Sequence, residues 1–183
     1  MHHTVAWTAA ATLALSAGAA CLGAAGVVLG GLYDVAASTQ HTQAVYSLME
    51  TAFERSVRRR ARSIQAPALG APDQLVRGAT CYRDHCLACH GAPGVAPGPA
   101  ALAMQPLPGP LVDAAALWRP RDLYWITRNG IRMTGMPAWE YRLSEADLWA
   151  VTAFVARLSQ LAPAEWGRQL ASLQAGACAV SAR

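Results

Sequence analysis

Cys86-Leu87-Ala88-Cys89-His90 is the stretch that decides how this chain is read. Two cysteines three apart on one helical turn project from the same face, and a histidine follows directly. The C-x-x-C-H spacing is that of haem attachment: both sulfurs can add across the two vinyl groups of one porphyrin edge, with His90 beneath the iron as an axial ligand. Two other chemistries use paired cysteines. A thioredoxin-like redox pair follows a strand and opens a helix, whereas this pair closes a helical stretch in a chain without strand patterning. A zinc site needs a second pair of ligands, and no histidine follows residue 90. The expectation is one covalent haem c on Cys86, Cys89 and His90.

A second axial ligand should come from a downstream loop folding over the opposite haem face. With no later histidine, the candidates are Met104, Met133 and Met136, since a thioether is a soft donor suited to haem iron. Met136 is preferred. It lies in Gly135-Met136-Pro137-Ala138-Trp139, where glycine allows close approach and proline fixes the exit direction. Met133 is expected as an apolar neighbour of the haem edge and Met104 as loop filler or an edge contact.

Outward from the motif the pattern is helical. Asp73 to Cys89 reads as helix, stopped by Gly91, and Gln65 to Pro72 before it is a Pro/Gly-punctuated break. Ala92 to Pro110 is too rich in proline and glycine for regular structure and reads as a wrapping loop. Arg121 to Asn129 is a short helix closed by Gly130. A last helix runs from Glu145 to about Leu158, with Ser144 as N-cap, Asp147 three residues on, and Leu143 and Leu148 placed as a hydrophobic staple. No strand pattern or internal repeat is seen, so the fold class is all-α.

The N-terminus carries a different signal. Val5 to Leu32 holds no Asp, Glu, Lys or Arg, longer than the roughly 20 apolar residues a helix needs to cross a bilayer. A cleaved signal peptide would show a basic start and a shorter apolar core; Met1-His2-His3-Thr4 has no Lys or Arg, which favours an uncleaved anchor. Cys21 lacks the leucine that a lipidation site would carry three residues earlier. From Tyr33 to about Ile64 the chain reads as a helical connector, with Val45, Leu48, Met49, Ala52, Phe53 and Val57 forming an apolar stripe that needs a partner: the domain, the membrane surface or another subunit. The division expected is a transmembrane anchor over 1–32, a connector and linker over 33–72, a haem domain over 73–161 and a C-terminal extension over 162–183. A net charge of +4 is modest, and no nucleic-acid motif is present.

Gly78-Ala79 with Tyr82, the motif through Gly91, Gly135 to Trp139 and the helix opening Ser144-Glu145-Ala146-Asp147-Leu148 together resemble class I cytochrome c, over about Asp73 to Leu161. Gly31 to Ala37, His41, Met49-Glu50-Thr51 and Arg55-Ser56-Val57 resemble a bacterial group of N-terminally anchored monohaem cytochromes. The resemblance implies crossed first and last helices with haem between them, and His90 and Met136 as axial ligands. It also implies a proline-loop carbonyl bonded to the other nitrogen of His90, for which Pro99 is the positional match. Trp139, Arg132 and Tyr124 are candidates for the propionates or ring edge, with plain core aromatics and a solvated arginine as the alternative. A Cys81 to Cys178 disulfide is open, since terminal segments of such a domain approach each other and the compartment is oxidising.

With both axial positions filled, the expected role is single-electron transfer, not catalysis. The resemblance implies a haem domain facing the periplasm, because attachment uses extracytoplasmic maturation, with the anchor in the cytoplasmic membrane. That orientation overrides the positive-inside pull of Arg55 to Arg62, which lie beyond the reach of that rule. Two roles follow: a tethered carrier between redox protein partners, or a fixed haem subunit of a larger membrane oxidoreductase. A third is a haem sensor or peroxidase in which Met136 is labile.

Overall fold

In the computed structural model, which describes residues 2–173 and Cys178, every regular element is a helix. The remainder of the expected C-terminal extension, and Met1, lie outside the described residues. The chain divides into two compact units, residues 1–39 and 40–183. The first holds α1 (His2–Leu29), long and apolar enough to cross a bilayer over His3–Leu29. It is apolar on all sides, as a lipid-facing helix is. Beyond it, Asp34 accepts from the Ala36 N–H (2.8 Å) and the Thr39 hydroxyl (3.0 Å), so the expected connector helix does not begin at Tyr33. An aspartate bonding the backbone two residues on competes with helix and makes a turn instead.

The second unit begins with α2 (Gln43–Ala61) and continues through α3 (Pro72–His85), α4 (Leu87–His90), α5 (Pro99–Leu102), α6 (Ala114–Leu117), α7 (Pro120–Asn129), α8 (Glu145–Val155) and α9 (Pro163–Ser172). The stripe on α2 is used in its second half. Val57 and Ala61 are buried, and Phe53 meets Trp118 edge-on with ring centroids 5.5 Å apart, whereas Leu48 and Met49 stay exposed. The α2 helix packs against α7, so part of its partner is intramolecular.

The core is the crossing of α3 and α8. Gly78 makes it possible: a Cβ there would lie 2.1 Å from the Ala150 carbonyl oxygen, so only glycine lets the two backbones come this close. Around the crossing lie Tyr82, Phe154 and Trp166, all buried, with the Tyr82 and Phe154 rings 5.3 Å apart. Arg77 on α3 pairs with Asp147 on α8 at 2.8 Å. The start of α8 is built as the sequence predicts. The Ser144 hydroxyl accepts from the Asp147 N–H (3.1 Å), and Leu143 and Leu148 are buried beside it.

Trp166 belongs to α9, a helix inside what reads from sequence as an extension. Burial of its indole against Tyr82 and Phe154 fixes α9 to the core. Cys178 returns to α3 and is disulfide-bonded to Cys81, Cα atoms 4.9 Å apart. The tail is held there twice more: the Cys178 N–H donates to Asp84 (3.3 Å), and its carbonyl meets His85 Nε2 (3.1 Å).

Candidate functional site

The segment from Asp73 to His90 is not one helix. It breaks at Cys86, and α4 restarts the turn, bringing Cys86, Cys89 and His90 to one wall of a cavity of about 330 Å³. Cys86 N–H still donates to the Tyr82 carbonyl (2.8 Å) and His90 N–H to the Cys86 carbonyl (2.9 Å), so the break shifts direction without leaving orphan amides. The Tyr82 hydroxyl, buried beneath, donates to the Gly91 carbonyl at 2.6 Å and anchors the turn after the motif. Burial pushes that hydroxyl far above the usual phenol range, so it stays a donor. Burial, with neighbouring Cys89 adding to it, pushes the Cys86 thiol up to about 12.

His90 Nδ1 lies 2.7 Å from the Gly109 carbonyl oxygen. A carbonyl can only accept, so Nδ1 donates, and in the neutral ring this tautomer leaves the Nε2 lone pair for a ligand. The sequence points to Pro99 for this carbonyl, and the structure corrects it. Pro99 is the first residue of α5, while the carbonyl that reaches the ring belongs to Gly109, between Pro108 and Pro110.

Met136 lines the same cavity. Its loop is closed by two bonds, from Ile131 N–H to the Met136 carbonyl (3.2 Å) and from Met136 N–H to the Thr134 hydroxyl (3.1 Å). The ion pair Arg128 to Glu140, 3.0 Å, ties the end of α7 to the turn beyond Met136. Met133, at φ 63, is 77% exposed and does not line the cavity, which corrects its expected place at a haem edge. Met104 does line it.

Of the three edge candidates only Trp139 reaches the cavity. Tyr124 stacks on Trp149 with centroids 3.9 Å apart and planes 12° from parallel, a core aromatic; Arg132 is solvent-exposed. Two aromatic lining residues stand outside the residues singled out from the sequence as site candidates. His85 lies against Trp139, ring centroids 5.0 Å apart, and Phe53 enters from α2. Only the apolar stripe on α2 could have pointed to Phe53.

Among the described residues no side chain lining the cavity is a carboxylate or guanidinium. A slot with two thiols and an oriented imidazole on one wall, a thioether in reach and apolar sides fits a flat macrocycle with a central metal. Residues 73–155 match the family described as cytochrome c oxidase, cbb3-type, subunit III. No curated protein matches the chain.

Proposed function

We propose that residues 73–155, which match a c-type cytochrome family model, form a class I cytochrome c domain, and that the chain is a membrane-anchored monohaem cytochrome that passes single electrons in a respiratory or periplasmic redox chain. One observation carries the reading: a single cavity is lined by Cys86, Cys89 and His90 together with Met136, and the His90 ring is already turned by the Gly109 carbonyl. In this reading Cys86 and Cys89 would hold one haem by thioether bonds, and His90 Nε2 and the Met136 sulfur would be the ligands to its iron. The bound group supplies the one-electron couple of its iron. His90 and Met136 would hold the iron of that group, Phe53, Trp139 and the proline loop would cover it from water, and the Gly109 carbonyl fixes the imidazole tautomer.

Helix α1 then serves as an uncleaved anchor with the haem domain on the periplasmic side. Tethering confines the domain near its partners and raises its effective concentration there. The alternative is a fixed haem subunit of a larger membrane oxidoreductase. The matched family's description as an oxidase subunit favours it, as do Leu48 (68% exposed) and Met49 (48% exposed), which continue the α2 stripe beyond its buried half. Isolation of the full chain from membranes separates the two: stable co-purifying chains favour the subunit, and a single chain with fast electron exchange favours the carrier.

The first test is the visible spectrum of the purified holoprotein, ferric and ferrous, beside Met136→Ala. The expected result is a long-wavelength ferric band from sulfur-to-iron ligation that disappears in the variant. A wild type without that band would move the labile-ligand sensor or peroxidase reading to the front.

A further inference from the structure

We propose that Met104 is a positioning residue for Met136, a role that rests on the axial-ligand reading above. Met104 follows α5, and its N–H donates to the Ala101 carbonyl (3.1 Å), so its backbone is fixed by that turn. Its side chain reaches across to the other loop. A Cβ built on Gly135 would lie 2.7 Å from the Met104 sulfur and 3.3 Å from its terminal methyl. The thioether of Met104 fills the space that any other residue at 135 would claim, directly beside Met136.

This contact completes a connection between the two axial positions. Five residues after Met104, the Gly109 carbonyl holds His90 Nδ1 at 2.7 Å. One short run of chain touches the histidine ring at one end and the backbone next to Met136 at the other. The bonds inside the Met136 loop, through Ile131 and Thr134, tie that loop only to itself. Met136 has three freely rotating side-chain bonds, so its hold on iron depends on where its backbone is placed. Packing of Met104 onto Gly135 holds that placement from outside the loop on the residue before Met136, as Gly130 and the Arg128–Glu140 pair do on the chain after it.

The test uses purified holoprotein as wild type, Met104→Ala, Met104→Leu, Gly135→Ala and the Met104→Ala/Gly135→Ala double variant. Each is read by the sulfur-to-iron band and by titration with imidazole, which competes with Met136 for the ferric iron. Met104→Ala should bind imidazole about tenfold more tightly, and Met104→Leu, which restores volume without sulfur, should stay within about threefold of wild type. Gly135→Ala should also favour imidazole, and the double variant should recover part of the loss, since the new methyl occupies the space vacated by Met104. Equal imidazole affinity in Met104→Ala and wild type would overturn the proposal. So would loss of the band in Met104→Leu but not in Met136→Ala, because Met104 would then itself be the ligand. A wild type lacking the band overturns the ligand reading and this role with it, in one spectrum taken before any variant.

Discussion

Gly130 and Pro137 lie back to back: a Cβ on Gly130 would fall 2.6 Å from the carbonyl carbon and oxygen of Pro137. Gly130 also has φ +65 with ψ −171, a region that only glycine enters readily and that costs other residues about 1–3 kcal/mol. One residue thus closes α7 and makes room for the chain that follows Met136. Gly130→Ala should lose about 2 kcal/mol or more in urea unfolding, strain and contact together. The same variant should weaken the sulfur-to-iron band, because Pro137 must move and Met136 moves with it. An unchanged band with reduced stability would show that the loop relaxes elsewhere.

The disulfide closes a large loop. Cys81 and Cys178 are 97 residues apart, a separation for which the chain-entropy model gives about 4–5 kcal/mol, with measured bridges typically contributing about 2–4 kcal/mol. The double variant Cys81→Ser/Cys178→Ser should therefore unfold at lower urea, by about 3 kcal/mol of stability. Haem content should be retained, since Cys86 and Cys89 are separate from the bridge. No shift in the urea midpoint would mean that α9 and the Trp166 contact hold the tail without the bond.

Local chemistry was legible in the sequence, and contacts between distant segments were not. Ser144, Asp147, Leu143 and Leu148 announce the start of α8 because a cap and a staple are made within five residues. The motif cysteines and His90 are similarly self-announcing, and Gly130 closes α7 where expected. Helix α9 is too short to declare itself in the sequence, and burial of Trp166 against Tyr82 and Phe154 holds it. The resemblance points to Pro99 for the carbonyl that orients His90, but a proline-rich loop has no periodicity to register it, and Gly109 is the residue that arrives. Met136 could be preferred over Met133 from its glycine and proline neighbours, but the role of Met104 depends on a contact 31 positions away in the chain.

Asp84 makes the attachment of the tail sensitive to pH. Its hydrogen bond to Arg83, aided by the Cys178 N–H, holds its carboxyl below the usual carboxylate range, while burial works the other way. A carboxylate depressed in the folded state contributes stability that is present above its unfolded pKa, about 3.9, and is lost as pH falls through the folded value. Wild type should thus lose more stability than Asp84→Asn as pH is lowered below about 4, and the gap between the two should narrow. Guanidinium melts of both proteins across that range check it; parallel curves would remove Asp84 from the account.

Phe53 is the test of whether α2 belongs to the haem site or merely leads to it. It lines the cavity, and its ring meets Trp118 edge-on, while Arg58, one turn further along α2, lies over the same indole at 5.7 Å. Phe53→Ala removes a half-buried aromatic and should cost about 2 kcal/mol, below the 3–5 kcal/mol of a fully buried ring. The second consequence is electrostatic. Water entering where the ring was stabilises the more highly charged ferric form, so the reduction potential should fall. Phe53→Leu, which keeps most of the apolar cover, should leave the potential close to wild type. A potential unchanged in Phe53→Ala, with the stability loss present, would make α2 a brace for α7 that leaves the haem environment to the loops around Met104 and Met136.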